Sequence, residues 1–115
     1  MYQTLIFTDE QGEQSYRQVF PDLQIIRWHP YSCDLLPKGG SKARGIQKIL
    51  AVADIELDKV VAFGDGLNDV EMLSYVPASV AMGNGHPAAK EVASMITEHV
   101  DQDGLMKAMK KLKLI

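Results

Sequence analysis

The sequence predicts an α/β protein, a parallel sheet with helices preceded by a small antiparallel unit. Three observations carry this. Val60–Phe63 is a compact apolar run without alternation, the pattern of a strand buried on both faces. From Ser41 onward, strand-like and helix-like segments alternate, which argues for parallel pairing. Before Pro37, short strand-like runs are joined by turn residues, as in a small antiparallel unit.

Tyr2–Thr8 (YQTLIFT) reads as the first strand, and the polar stretch around Gly12 as a turn into a short helix. Pro21-Asp22 makes a turn, Leu23–Trp28 (LQIIRW) a second strand, and Tyr31–Leu36 a third. His29-Pro30 and Pro37-Lys38-Gly39-Gly40 punctuate the end of this unit, so the boundary divides the chain into 1–36 and 37–115. Ser41 caps a helix in which Ile46, Ile49, Leu50 and Ala53 share one apolar face. Beyond Val60–Phe63, a helix begins near Asn68, followed by a strand over Ala78–Met82 and a loop at Gly83–Gly85. Pro87 opens the next helix, since proline suits a first helical turn. Ser94–Thr97 reads as a last short strand. A final helix from Gly104 aligns Leu105, Ala108, Met109 and Leu112.

With 115 residues, 46% apolar and 23% charged, the composition is that of a soluble globular chain. A chain of this size buries roughly two-thirds of its unfolded surface. The net charge of -3 and the absence of a basic, aromatic-interleaved face argue against nucleic acid. Lys107, Lys110, Lys111 and Lys113 sit at the favourable end of a helix, as solvated cations do. Cys33 is the only cysteine, which excludes an internal disulfide and fits a reducing compartment. The N-terminus lacks the order of a signal peptide, and no apolar run is long enough to span a bilayer. The expected location is cytoplasmic.

The stretch VVAFGDGLNDVEML concentrates the chemistry. Asp65 stands between two glycines at the carboxyl end of an apolar strand, where open α/β sheets bind ligands. Asp65 and Asp69 would repel each other unless compensated. Magnesium is the natural compensation, since it takes one or two carboxylates and fills its remaining positions with water and phosphate oxygens. Asn68 offers an amide to a phosphate oxygen. A purely structural account makes Asn68 and Glu71 a capping box and the acids a complement to the helix dipole. That account leaves Asp65 unexplained. A calcium loop is excluded, because Leu67 and Val70 occupy the places of an oxygen ligand and an essential glycine.

Lys42 lies in the first turn of a helix, against the dipole, and so calls for an anion nearby. A phosphate or a developing oxyanion would serve. The alternative is an exposed lysine in a glycine-rich turn, and Lys38 and Arg44 are equally basic neighbours. Gly83–Ala88 matches G-x-G-x-x-A, but Pro87 removes a backbone donor and no ribose-binding acid follows, so it reads as a tight turn. His29 and Cys33 have the spacing of two metal ligands without a second pair. His86 and His99 read as loop histidines, and no G-x-S-x-G elbow supports a catalytic triad.

Taken together, Pro37–Gly45 with Lys42, GDGLND running on to Glu71-Met72-Leu73, and Val80–Gly85 resemble the haloacid dehalogenase (HAD) phosphatase superfamily. Within it they resemble the Cof-like branch of sugar-phosphate phosphatases. Gly85 departs from the alanine more usual there. The resemblance covers the chain from about Pro37 to its end, and Met1–Leu36 looks like the tail of the family's mobile cap. It implies the C-terminal half of a HAD-type, Rossmann-like parallel core with a small antiparallel cap remnant. It also implies phosphomonoester hydrolysis through an aspartyl-phosphate, with Mg2+ as cofactor and a small phosphorylated metabolite as substrate. On that basis Lys42 neutralises the phosphoryl group, Asp65 binds magnesium, Asn68 touches substrate phosphate, and Asp69 orients Lys42 or metal-bound water.

The family's nucleophile lies in a D-x-D-x-T motif that this sequence lacks. Phe7–Gly12 imitates it, yet Gln11 replaces the acid/base aspartate and Glu13 the threonine. Too little chain separates Asp9 from Lys42 to hold the intervening strands, so Asp9 is rejected as nucleophile. The expectation is a truncated chain, inactive alone, with the apolar edge of Val60–Phe63 unpaired. Such an edge invites a homodimer or strand-swapped assembly. A non-catalytic metal- or phosphate-binding or interaction module is the alternative.

Overall fold

The structure, a computed structural model, describes residues 3–115. Strands β1 (Thr4–Phe7), β2 (Leu23–His29) and β3 (Ser32–Pro37) form an antiparallel sheet in the order β1-β3-β2, with α1 (Glu10–Val19) between the first two in sequence. Strand alternation puts Ile25, Cys33 and Leu35 on one face. There they form a small buried cluster with Ile6, Tyr16 and Leu23. The opposite face presents Gln24, Ile26, Asp34 and Leu36 to a cleft.

Gly12 does not make a turn. Asp9 caps α1 by accepting a hydrogen bond from the Gly12 amide at 2.8 Å, so the helix begins before the glycine. The cap, with Glu10 and Glu13 in the first turn, outweighs the cost of glycine in a helix. The first strand is shorter than its sequence pattern, and Tyr2 lies outside the described residues.

Glu13 is the buried carboxylate of this unit. It accepts from Arg17 Nε at 2.9 Å, from Arg17 Nη2, from Arg27 Nε at 2.8 Å and from Cys33 Sγ at 3.5 Å. Burial pushes its carboxyl up, but the two guanidinium groups and the thiol outweigh that and hold it below its ordinary value. Burial, and then the neighbouring carboxylate, push the Cys33 thiol up.

The second unit begins after Pro37. Helix α2 (Lys42–Ala53) leads to β4 (Val61–Gly64), α3 (Val70–Tyr75), β5 (Ala78–Ala81), α4 (Pro87–Val92), β6 (Met95–Ile96) and α5 (Gly104–Lys111). The sheet is parallel in the order β4-β5-β6. Ala62, Leu73, Val76, Ala81 and Ala89 form its buried cluster, with Ile46, Val60 and Val70 packed against it. Strand β6 is only two residues long, and side chains extend its pairing. Ser94 Oγ accepts from the Ser79 amide at 2.9 Å and donates to the Ser79 carbonyl at 2.8 Å, while Ser79 Oγ accepts from the Ser94 amide.

Two expectations are corrected. β4 is an edge strand with Val61 and Phe63 only half-buried, so it is not enclosed on both faces. In α2, Ile46 packs on the core, but Ile49 is 65% exposed and Ala53 is also exposed, so the apolar face is only partly used. The two hydrophobic clusters share no residue. The radius of gyration, 15.9 Å, exceeds the ~13–14 Å of a compact chain of this length, as side-by-side units require. No helix of the described residues is long and apolar enough to cross a membrane.

Candidate active site

The site is built at the carboxyl end of β4. Gly64 ends the strand, the chain turns at Asp65-Gly66, and a 3-10 turn over Leu67–Asp69 leads into α3. This turn folds Asp69 back beneath the loop. Its Oδ2 accepts from the amides of Asp65 at 2.9 Å and Gly66 at 3.0 Å. A Cβ on Gly64 would stand 2.7 Å from the Asp69 Cβ, so this packing requires glycine.

Lys42 reaches the same carboxylate. It is the first residue of α2, after Ser41, which caps the helix by accepting from the Arg44 amide at 3.2 Å. Lys42 Nζ donates to Asp69 Oδ1. The anion expected near this first-turn lysine is therefore supplied within the chain. Asp69 is buried, whereas the Lys42 side chain is half exposed. Burial pushes the Asp69 carboxyl up, but the Lys42 ammonium and the amides of Gly66 and Asp65 outweigh it and hold it below its ordinary value. Lysine and backbone thus both compensate the charge of Asp69.

Asp65 is exposed, and its carboxylate accepts no hydrogen bond from the described residues. Its backbone is braced from the next loop: His86 N donates to the Asp65 carbonyl at 2.6 Å, and Met82 N to the Gly64 carbonyl at 3.0 Å. A Cβ on Gly85 would lie 3.0 Å from the Asp65 carbonyl oxygen and 2.9 Å from that of Met82. The departure at Gly85 therefore coincides with a close approach of these two loops. This brace was not read from the sequence, where Gly83–Ala88 stood only as a tight turn.

Asn68 lines the cleft of about 910 Å³ that separates Lys42 and α3 from the free face of the antiparallel sheet. It does not cap α3: Asp69 holds the N-cap position, without a side-chain cap bond. Gln24 and Asp34 reach this cleft from the sheet and were not singled out in the sequence, although the alternation of LQIIRW was the available signal.

The remaining candidates have local duties. Asp9 is committed to the α1 cap. His86 Nδ1 accepts from the Ala88 amide and His99 Nδ1 from the Asp101 amide, so both are turn or helix caps. His29 accepts from the Tyr31 amide, and Cys33 is buried beside Glu13. No group of three or more His, Cys, Asp or Glu able to hold a metal occurs among the described residues. A hard cation needs one or two carboxylates from its protein. The exposed, unbonded Asp65 fits one such ligand position.

The arrangement can place an ammonium and an uncommitted carboxylate at one strand end, with an apolar cluster behind them. A model of the haloacid dehalogenase-like hydrolases matches residues 1–109. The Bacillus subtilis protein YkrA is 44% identical over 115 residues, covering 100% of this chain and 44% of that protein. The B. subtilis 5-amino-6-(5-phospho-D-ribitylamino)uracil phosphatase YitU is 37% identical over 84 residues, 73% of this chain and 30% of that one. Among solved structures, a HAD subclass IIB sugar phosphatase superposes with a TM-score of 0.87 at 36% identity, covering 99% of this chain and 44% of that one. The chain thus spans less than half the length of these relatives. By its family match and its α/β architecture, the chain belongs to the haloacid dehalogenase-like hydrolases.

Proposed function

We propose that the chain supplies the phosphate- and magnesium-handling part of a phosphomonoesterase site acting on a small phosphorylated metabolite such as a sugar phosphate. The observation that carries this is the Lys42–Asp69 pair beside Asp65 at the carboxyl end of β4. Asp69 holds the ammonium in place while half of the Lys42 side chain stays open to an anion. Lys42 neutralises phosphoryl charge, Asn68 donates to a phosphate oxygen from the cleft, and Asp65 is the magnesium ligand. Magnesium, when bound, shields the phosphoryl oxygens. The two units, 1–36 and 37–115, act as cap remnant and core on this reading.

The chain alone is inactive on this reading, because Asp9, the residue that imitates the nucleophile, is spent on capping α1. Incubation with magnesium and p-nitrophenyl phosphate is expected to give only background hydrolysis. Turnover well above background that Asp9→Asn abolishes would sink the idea. In a complete enzyme, Lys42→Ala is expected to lose about 2 kcal/mol of transition-state stabilisation, as for a charge-assisted hydrogen bond.

The alternative is a binding or interaction module without chemistry. It is favoured by the edge position of β4 and by Ile49 and Val52, which are 65% and 89% exposed on α2. We infer that a second copy of the chain covers this edge. A monodisperse monomer in light scattering at micromolar concentration overturns that assembly. Calorimetry with magnesium and a phosphate analogue separates ligand binding from a purely structural loop.

A further inference from the structure

We propose that Arg27 is a positioning residue that fixes the tip of the β2–β3 hairpin, and with it Trp28, beside the Asp65 loop. The register of β2 against β3 slips between Arg27 and His29, so Trp28 is the extra residue of a β-bulge. Bulges re-aim side chains and bend the strand that carries them. Trp28 is 42% exposed and lines a cavity of about 620 Å³ with Arg27, Tyr31, Leu67 and His86. The last two residues flank the loop bearing Asp65. The tip is therefore the part of the antiparallel unit that meets the other side of the proposed site.

Arg27 holds this tip with one terminal nitrogen. Its Nη1 donates to the carbonyls of Pro30 at 2.7 Å, Thr8 at 3.0 Å and His29 at 3.1 Å. These are the first residue of the turn, the residue that follows β1 and the last residue of β2. Its Nε donates to Glu13 at 2.8 Å, which fixes the plane of the guanidinium from α1. Its Nη2 is buried without a partner among the described residues. A buried donor left unpaired is a net cost. A side chain kept only to fill this space need not carry it. The guanidinium is required because a planar fork can bind a carboxylate and fan out to carbonyls at once, which an ammonium cannot do. Arg17 pairs with the same Glu13 but reaches the sheet only through the Ile25 carbonyl at 3.4 Å, away from the tip. It is the built-in control.

That the tip faces a phosphoryl site rests on the proposed function, whereas the clamp does not. Trp28 is the only tryptophan, so its fluorescence reports the tip directly in the full chain. Arg27→Lys is expected to shift Trp28 emission to the red and raise its quenching by acrylamide, with far-ultraviolet circular dichroism unchanged. Arg17→Lys is expected to leave both where they are. Unchanged Trp28 emission and quenching in folded Arg27→Lys overturns the proposal, as does an equal change in Arg17→Lys. Should Arg27→Lys fail to fold, nitrogen-15 NMR of the unaltered chain decides: a slowly exchanging Arg27 Nε–H is expected, and exchange as fast as in free arginine overturns the clamp. Binding of inorganic phosphate with magnesium is measured separately by calorimetry. Its absence overturns the proposed function without touching the Trp28 result.

Discussion

Each unit of the molecule buries one carboxylate, and the two are held in different ways. Glu13 meets two guanidinium groups and a thiol; Asp69 meets one ammonium and two backbone amides. In both, partners overcome burial and keep the carboxyl below its ordinary value. The difference lies in what is left over. Around Glu13, Arg27 is mostly buried with its donors spent on carbonyls and carboxylate, while Arg17, itself half exposed, bonds that same carboxylate and the Ile25 carbonyl. Around Asp69 the Lys42 side chain remains half exposed, with an unbonded carboxylate, Asp65, next to it. A buried acid with planar, directional partners braces a fold. A buried acid with a compact, flexible cation holds a charge ready for something else.

Substitutions test this contrast. Glu13→Gln leaves Arg27 mostly buried without a countercharge and is expected to cost about 3 kcal/mol in urea denaturation. Parity with Lys42→Met would erase the distinction. Lys42→Met leaves Asp69 with its two amides, and its expected cost is about 1–2 kcal/mol because the lysine is half exposed.

Acid titration compares the two acids directly. Both folded values lie below the ordinary ones, 4.5 for Glu13 and 3.8 for Asp69, so the unfolded chain takes up protons first as pH falls. Their stabilisation is present above those ordinary values and is lost as pH drops through the depressed ones. Glu13→Gln and Asp69→Asn should each flatten the acid limb of a stability–pH curve, and an unaltered limb in either variant contradicts the assigned direction.

Gly85→Ala crowds the Asp65 carbonyl and is expected to cost about 1 kcal/mol in melting experiments. The smallest effect belongs to Asp9: alanine should lose about 0.5–1 kcal/mol of capping, and asparagine almost nothing.

Much of the parallel unit was legible, because β4 is an apolar run ending at Gly64 and its helices start at recognisable signals, the Ser41 cap and Pro87 in a first turn. Lys42 was legible for a physical reason: a cation in a first turn needs an anion, and the chain provides Asp69. Spacing alone did not name that anion, since 27 positions separate the two, but the family resemblance did, with Asp69 orienting Lys42 or metal-bound water. Gly12 misled because a glycine punctuates a chain only when no stronger local bond competes, and Asp9 competes. Ile49 misled because periodicity reveals an apolar face without revealing how much of it finds a neighbour. The Glu13–Arg27 contact joins a helix to a strand 14 positions away and leaves no pattern in the sequence.

The separation of the two hydrophobic clusters has a consequence for how the molecule comes apart. The antiparallel unit has three buried residues in its apolar cluster, and units of about 40 residues or fewer seldom hold together on apolar burial alone. Its amides should therefore exchange with solvent at lower free energies than those of β4 and β5, as in a fold that opens by parts. Each such opening would lift β2 from the Leu67–Asp69 turn and uncover Lys42 and Asn68, while β4, which leads into Asp65, stayed folded beneath.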